Sequence, residues 1–127
     1  MDKIKMQNLL TREAGAVWDA MAESYPALIR YDVPRIIING RLSATAGRCF
    51  QSTQIVEMSS KFIDHSEKYF RNMIDVILPH ELAHAADWIL FGESELKCGH
   101  GRNWQEIMVQ YGLAPNKFHS MGSLYRK

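Results

Sequence analysis

His80-Glu81-Leu82-Ala83-His84 and, further on, His100-Gly101-Arg102-Asn103-Trp104 have the residue types and spacing to bind a metal ion and hydrolyse an amide. On a helix, side chains at i and i+4 share one face about 6 Å apart, so two imidazoles there can grip one ion. Glu81 then falls beside the open coordination position. Zinc suits this set, because neutral imidazoles bind it well and a catalytic site uses three protein ligands while keeping a fourth position for water. Zinc-bound water has a pKa of about 7, so Glu81 could accept its proton as hydroxide attacks a carbonyl, then protonate the leaving amine. The pattern predicts a metal-dependent peptidase with His80, His84 and His100 as ligands and Glu81 as general base.

Two blander readings compete with it. The helix could merely display two surface histidines and a glutamate. The zinc could instead be structural and closed by a fourth protein ligand, for which Cys98 is the attractive candidate. Asp87, three residues past His84, shares the ligand face and could orient an imidazole or approach the metal; a solvated or salt-bridged aspartate is the alternative. Trp104, four residues past His100, could clamp the third ligand's helix onto the main one as core packing. His119 could hydrogen-bond a developing oxyanion, as could Tyr111 or Tyr125, and His65 reads as solvent-exposed. Arg30, Arg35, Arg41 and Arg48 could line a basic face, or be scattered solvated charges.

These residues need a scaffold, and 127 residues with 46% hydrophobic content suit one globular domain, spanning 1–127. With 15 basic and 14 acidic side chains the net charge is +1, which marks the chain neither as a nucleic-acid binder nor as a membrane-surface binder. No apolar run has the length of a membrane span, and Lys3 and Lys5 are not followed by the apolar core of an export signal. Two cysteines, Cys49 and Cys98, are too few for a disulfide framework or a four-thiolate zinc site. The expectation is a soluble cytoplasmic protein.

Along the chain, Leu10, Ala14, Val17, Trp18 and Met21 recur at helical intervals between about Ile4 and Glu23, and Ser24-Tyr25-Pro26 ends that helix. Ile36-Ile37-Ile38 is a β-branched run. Asn39-Gly40 is a strong hairpin signal, Arg41 to Phe50 can run back antiparallel, Gly47 could mark a bulge, and Thr53 to Met58 alternates as a third strand. Helical period returns from about Ser66 to Phe91, with Phe70, Ile74, Ile77, Leu78, Leu82, Ala85 and Ile89 as its apolar stripe. Pro79 predicts a kink or break just before His80. Gly92 stops the helix, Glu93 to Gly99 reads as a loop, and Asn103 to Tyr111 as a short helix closed by Gly112. The fold class is α+β: an N-terminal helix, a three-stranded antiparallel sheet, the His-Glu-x-x-His helix and a further short helix.

Leu78-Pro79-His80-Glu81-Leu82-Ala83-His84, Gly99-His100-Gly101-Arg102-Asn103-Trp104 and, more weakly, Thr45-Ala46-Gly47 resemble the SprT-like metallopeptidases, the family of SprT and Spartan. The resemblance runs from about Tyr25 to His119. It implies zinc on His80, His84 and His100, with Glu81 as the catalytic glutamate. It also implies a small zincin-like core in which the active-site helix lies below an edge strand that accepts extended protein or peptide substrate by strand addition. Thr53 to Met58 is the expected edge. The family includes a DNA-dependent protease of DNA-crosslinked proteins, so DNA-protein crosslink repair is an implied role. Many relatives continue into a zinc ribbon or DNA-binding segment with paired cysteines. This chain carries none, so the expectation is a free-standing catalytic domain that reaches DNA through a partner. The rival reading is a non-catalytic, zinc-containing, DNA-associated binding module.

Overall fold

In the computed structural model, residues 2–92 and 100–115 are described. Helix α1, Lys3–Ser24, begins where the Asp2 carboxylate accepts the Ile4 and Lys5 amides and ends at Tyr25, ahead of Pro26. It buries Met6, Leu10, Ala14, Val17, Trp18 and Met21 along one stripe. A 3-10 turn, Pro26–Arg30, leads to strand β1, Arg35–Asn39; β2, Gly47–Phe50, and β3, Ile55–Ser59, complete one sheet. Short helices α2, Ser60–His65, and α3, Glu67–Asn72, start at Ser59 and Ser66, whose hydroxyls accept the Phe62 and Tyr69 amides. Helix α4, Leu78–Phe91, and helix α5, Arg102–Tyr111, carry the histidine motifs.

The sheet is mixed, not antiparallel, with order β1-β3-β2. β3 runs parallel to β1, with Ile36 beside Val56 and Ile38 beside Met58, and antiparallel to β2, with Cys49 beside Val56. The expected β1–β2 hairpin at Asn39-Gly40 does not form. The turn is there, with Asn39 Oδ1 accepting the Arg41 amide at 2.9 Å, but residues 40–46 form a loop and β3 takes the place beside β1. Ser59 fixes this arrangement from the end of β3: its amide donates to Ala46 O at 2.8 Å and its hydroxyl to Leu42 O at 2.6 Å. The expected edge strand, Thr53 to Met58, is therefore the central one, and β2 is an edge.

Gly47 is not a bulge either. It opens β2 opposite Met58, where a Cβ would lie 3.1 Å from both Glu57 O and Ile77 Cγ2 and 3.2 Å from Met58 Sδ. A side chain here would press on backbone and packed core, so glycine lets β2 approach this closely without displacing them.

No break precedes His80: the helical run is unbroken from Glu67 to Phe91, and ahead of Pro79 it widens into a π-helical segment, Met73–Ile77, after which the Leu78 amide donates back to Met73 O. Pro79 then occupies the first turn of α4, where a missing N–H is tolerated. All ten residues from Leu78 to Asp87 are buried, enclosed by α1, α5, β2 and β3. Phe70, Ile74 and Ile89 are only partly buried. Among the described residues no helix is long and apolar enough to cross a membrane.

Candidate metal centre

The first turns of α4 put His80 and His84 on one face, ring centroids 5.1 Å apart. His100 lies just before Gly101, the extended N-cap residue of α5. His100 Nε2 lies 3.1 Å from His84 Nε2 and 3.3 Å from His80 Nε2. Around a tetrahedral ion bound through nitrogens at about 2.0–2.1 Å, neighbouring ligand atoms are roughly 3.3 Å apart. The three histidines fit a divalent metal by both chemistry and spacing, and they form a group that could hold one.

Glu81 is only 4% exposed and its Oε2 is 3.9 Å from His80 Nε2. That placement puts a carboxylate beside the three-histidine set, which itself consists of the histidines alone. The sheet contributes Cys49 to the same neighbourhood: burial pushes its thiol pKa up, and the Glu81 carboxylate pushes it further.

Trp104 does what its spacing suggests, and more. It is fully buried in α5, its indole lies nearly parallel to His84 at 15°, and it packs edge-on against His80 and His100 with centroids 4.8 and 4.7 Å away. Asp87 is 2% exposed, which overturns the solvated alternative. Tyr111 stands at the far end of α5, about 10 Å along the axis from Trp104. Burial and then the Asp75 and Glu13 carboxylates raise its pKa. Cys98, His119 and Tyr125 lie outside the described residues. His65 is exposed and stacks on Tyr69. Arg48 is paired with Glu57 and sits over the Phe50 ring, and Arg30, Arg35 and Arg41 are exposed.

Side-chain amides tie the site together, and none was a candidate from sequence. Gln51 Nε2 donates to His84 O at 2.7 Å, Gln54 Nε2 to Ala85 O at 3.2 Å, and Gln105 Nε2 to His100 O at 3.0 Å. Gln105 could have been suspected from its place beside Trp104. Gln51 and Gln54 lie in the β2–β3 turn and carry no local signal.

An α+β chain with a helix-borne pair of histidines, a third histidine closing on them and a buried glutamate beside the first has a group that could hold a metal ion, in the arrangement of a metallopeptidase-related protein. The SprT-like family model matches residues 11–121, and the chain belongs to that family. The match reaches further into α1 than the resemblance from Tyr25 implied. Germ cell nuclear acidic protein of Drosophila melanogaster is 38% identical over 80 residues, a match covering 58% of this chain and 7% of that protein. This chain thus corresponds to a small fraction of that relative's length. No solved structure matches the chain.

Proposed function

We propose that the chain is a zinc-dependent metalloendopeptidase, folded as one zincin-like catalytic domain over residues 1–127, that cleaves DNA-associated or DNA-crosslinked proteins. The observation carrying this reading is the buried Glu81 carboxylate beside His80 in a three-histidine group whose Nε2 atoms lie 3.1 and 3.3 Å apart. A purely structural site has no use for that carboxylate. Zinc on His80, His84 and His100 would supply a Lewis acid and an acidified water.

Glu81 takes the proton from the attacking water and hands it to the leaving amine, so one carboxylate serves as base and then acid. β2, an edge of the sheet packed against α4, offers main-chain groups to an extended peptide by strand addition. DNA targeting comes through a partner, in keeping with the net charge of +1 and the local neutralisation of Arg48 by Glu57.

The test pairs wild type with Glu81→Ala. Zinc content is measured in both, and cleavage of a DNA-binding protein is followed with and without single- and double-stranded DNA. The expected result is zinc in both proteins and cleavage in wild type alone. DNA stimulation of that cleavage supports the DNA-linked substrate class; cleavage indifferent to DNA keeps the peptidase and removes the link. Stoichiometric zinc with unchanged function in Glu81→Ala would favour the non-catalytic binding module.

A further inference from the structure

Each of the three histidines is held at its backbone as well as at its ring. His80 O accepts Trp104 Nε1–H at 3.3 Å, His84 O accepts Gln51 Nε2–H at 2.7 Å and His100 O accepts Gln105 Nε2–H at 3.0 Å. A carbonyl has two lone pairs, so a second donor can be added to the helical one. Trp104 and Gln105 belong to α5, next to His100. Gln51 comes from elsewhere, in the turn that joins edge strand β2 to central strand β3.

Gln54 braces that turn. Its Nε2 donates to Gln51 O at 2.8 Å and to Ala85 O at 3.2 Å, which uses both amide hydrogens. Flipping the amide would set Oε1 against two carbonyl oxygens, so the hydrogen bonds fix its orientation. The backbone at Gln54 is left-handed, φ 56, a conformation that glycine or asparagine adopts at less cost. Its Oε1 is buried with no hydrogen-bond partner among the described residues. A glycine would close the same turn without either cost. The glutamine is explained by what its amide holds.

We infer that Gln51, braced by Gln54, is a positioning residue for the metal centre: it locks the His84 turn of α4 to the β2–β3 hairpin. The second metal ligand and the strand that would seat the substrate then keep a fixed spacing. The inference rests on the three histidines binding a metal.

Three proteins test it: the parent, Gln51→Met and Gln54→Gly. The methionine keeps length and volume but removes the donor. The glycine removes the amide while relieving the left-handed backbone, so the relief offsets part of the two lost hydrogen bonds and its metal-free form is expected to stay folded in the absence of urea. Two readouts apply: zinc affinity by competition with a chromophoric chelator, and the visible absorption of the cobalt(II)-loaded proteins, which reports ligand geometry. Both variants are expected to bind zinc roughly 10- to 100-fold more weakly, with shifted cobalt bands. Folded variants with zinc affinity within about twofold of the parent and unchanged cobalt bands overturn the positioning role. If Gln51→Met does not fold, Gln54→Gly decides by the same readouts. A parent that binds no zinc instead overturns the metal reading beneath it.

Discussion

Trp104 reaches from α5 to donate its indole N–H to the main-chain carbonyl of His80, 3.3 Å away, while the two rings meet edge-on with centroids 4.8 Å apart. One side chain thereby joins the helix of the first two histidines to the helix of the third. Trp104→Phe keeps an aromatic ring but loses the donor and part of the buried volume, and it is expected to cost about 1–3 kcal/mol of stability. Trp104→Ala also leaves a cavity in a fully buried position and is expected to cost about 3–5 kcal/mol. Urea unfolding of the metal-free proteins checks both values. Equal losses for the two variants would mean that the indole N–H and the volume both variants lose, and not the remaining phenyl ring, carry the effect.

Metal removal provides a second test. A ligand that binds only the folded chain stabilises it by an amount set by its concentration relative to Kd, about 4 kcal/mol at a thousandfold excess. The wild-type unfolding midpoint in urea is expected to fall when a chelator strips zinc. His100→Ala, lacking one of the three convergent nitrogens, is expected to unfold at nearly the same urea concentration with or without the chelator. A wild-type midpoint insensitive to both zinc and chelator would contradict the site.

The parts of this molecule readable from sequence are those fixed by local spacing. His80 and His84 at i and i+4, the α1 stripe from Leu10 to Met21, and the stops at Gly92 and Gly112 all depend on neighbours within a few residues. Strand order does not. Asn39-Gly40 turns the chain as its chemistry demands, but whether the returning segment pairs with β1 is decided by Ser59, far along the chain, which pins Leu42 and Ala46 and leaves the place beside β1 to β3. The same distance hid Gln51, whose partner His84 is remote in sequence. It also hid the burial of Asp87, which follows from α4 being enclosed on all sides.

Two glycines are expected to respond to alanine with opposite signs. At Gly47 the added Cβ would meet Glu57 O and Ile77 Cγ2 at 3.1 Å, with backbone on one side and packed core on the other. Gly47→Ala is therefore expected to destabilise by about 1–3 kcal/mol. Gly15 lies inside α1, where an added methyl would find nothing within 4 Å, and Gly15→Ala is expected to stabilise by up to about 1 kcal/mol. Urea midpoints of the two variants against wild type test the pair. A neutral Gly47→Ala would show that β2 can move away from the core freely.

Cys49 yields a prediction about pH. Burial raises its thiol pKa in the folded chain, with the Glu81 carboxylate adding to the effect, whereas in the unfolded chain a thiol titrates at about 8.5. Below the unfolded value both states hold the proton and pH has no effect through this group. Above it the unfolded state releases the proton and the folded state keeps it, so stability declines as pH rises. Tyr25 and Tyr111, also raised chiefly by burial, add to the decline only above about pH 10. Between about pH 8.5 and 10 the loss is expected to follow Cys49 at up to about 1.4 kcal/mol per pH unit, and Cys49→Ala is expected to flatten it. Urea unfolding of both proteins across that range measures the slope. Peptide mapping after brief alkylation at about pH 8.5 should find Cys49 modified far more slowly in the folded protein than in urea, because a protonated, partly buried thiol is a poor nucleophile. Rapid native labelling, or an alkaline slope unchanged by Cys49→Ala, would show that the thiol is not shielded beside Glu81.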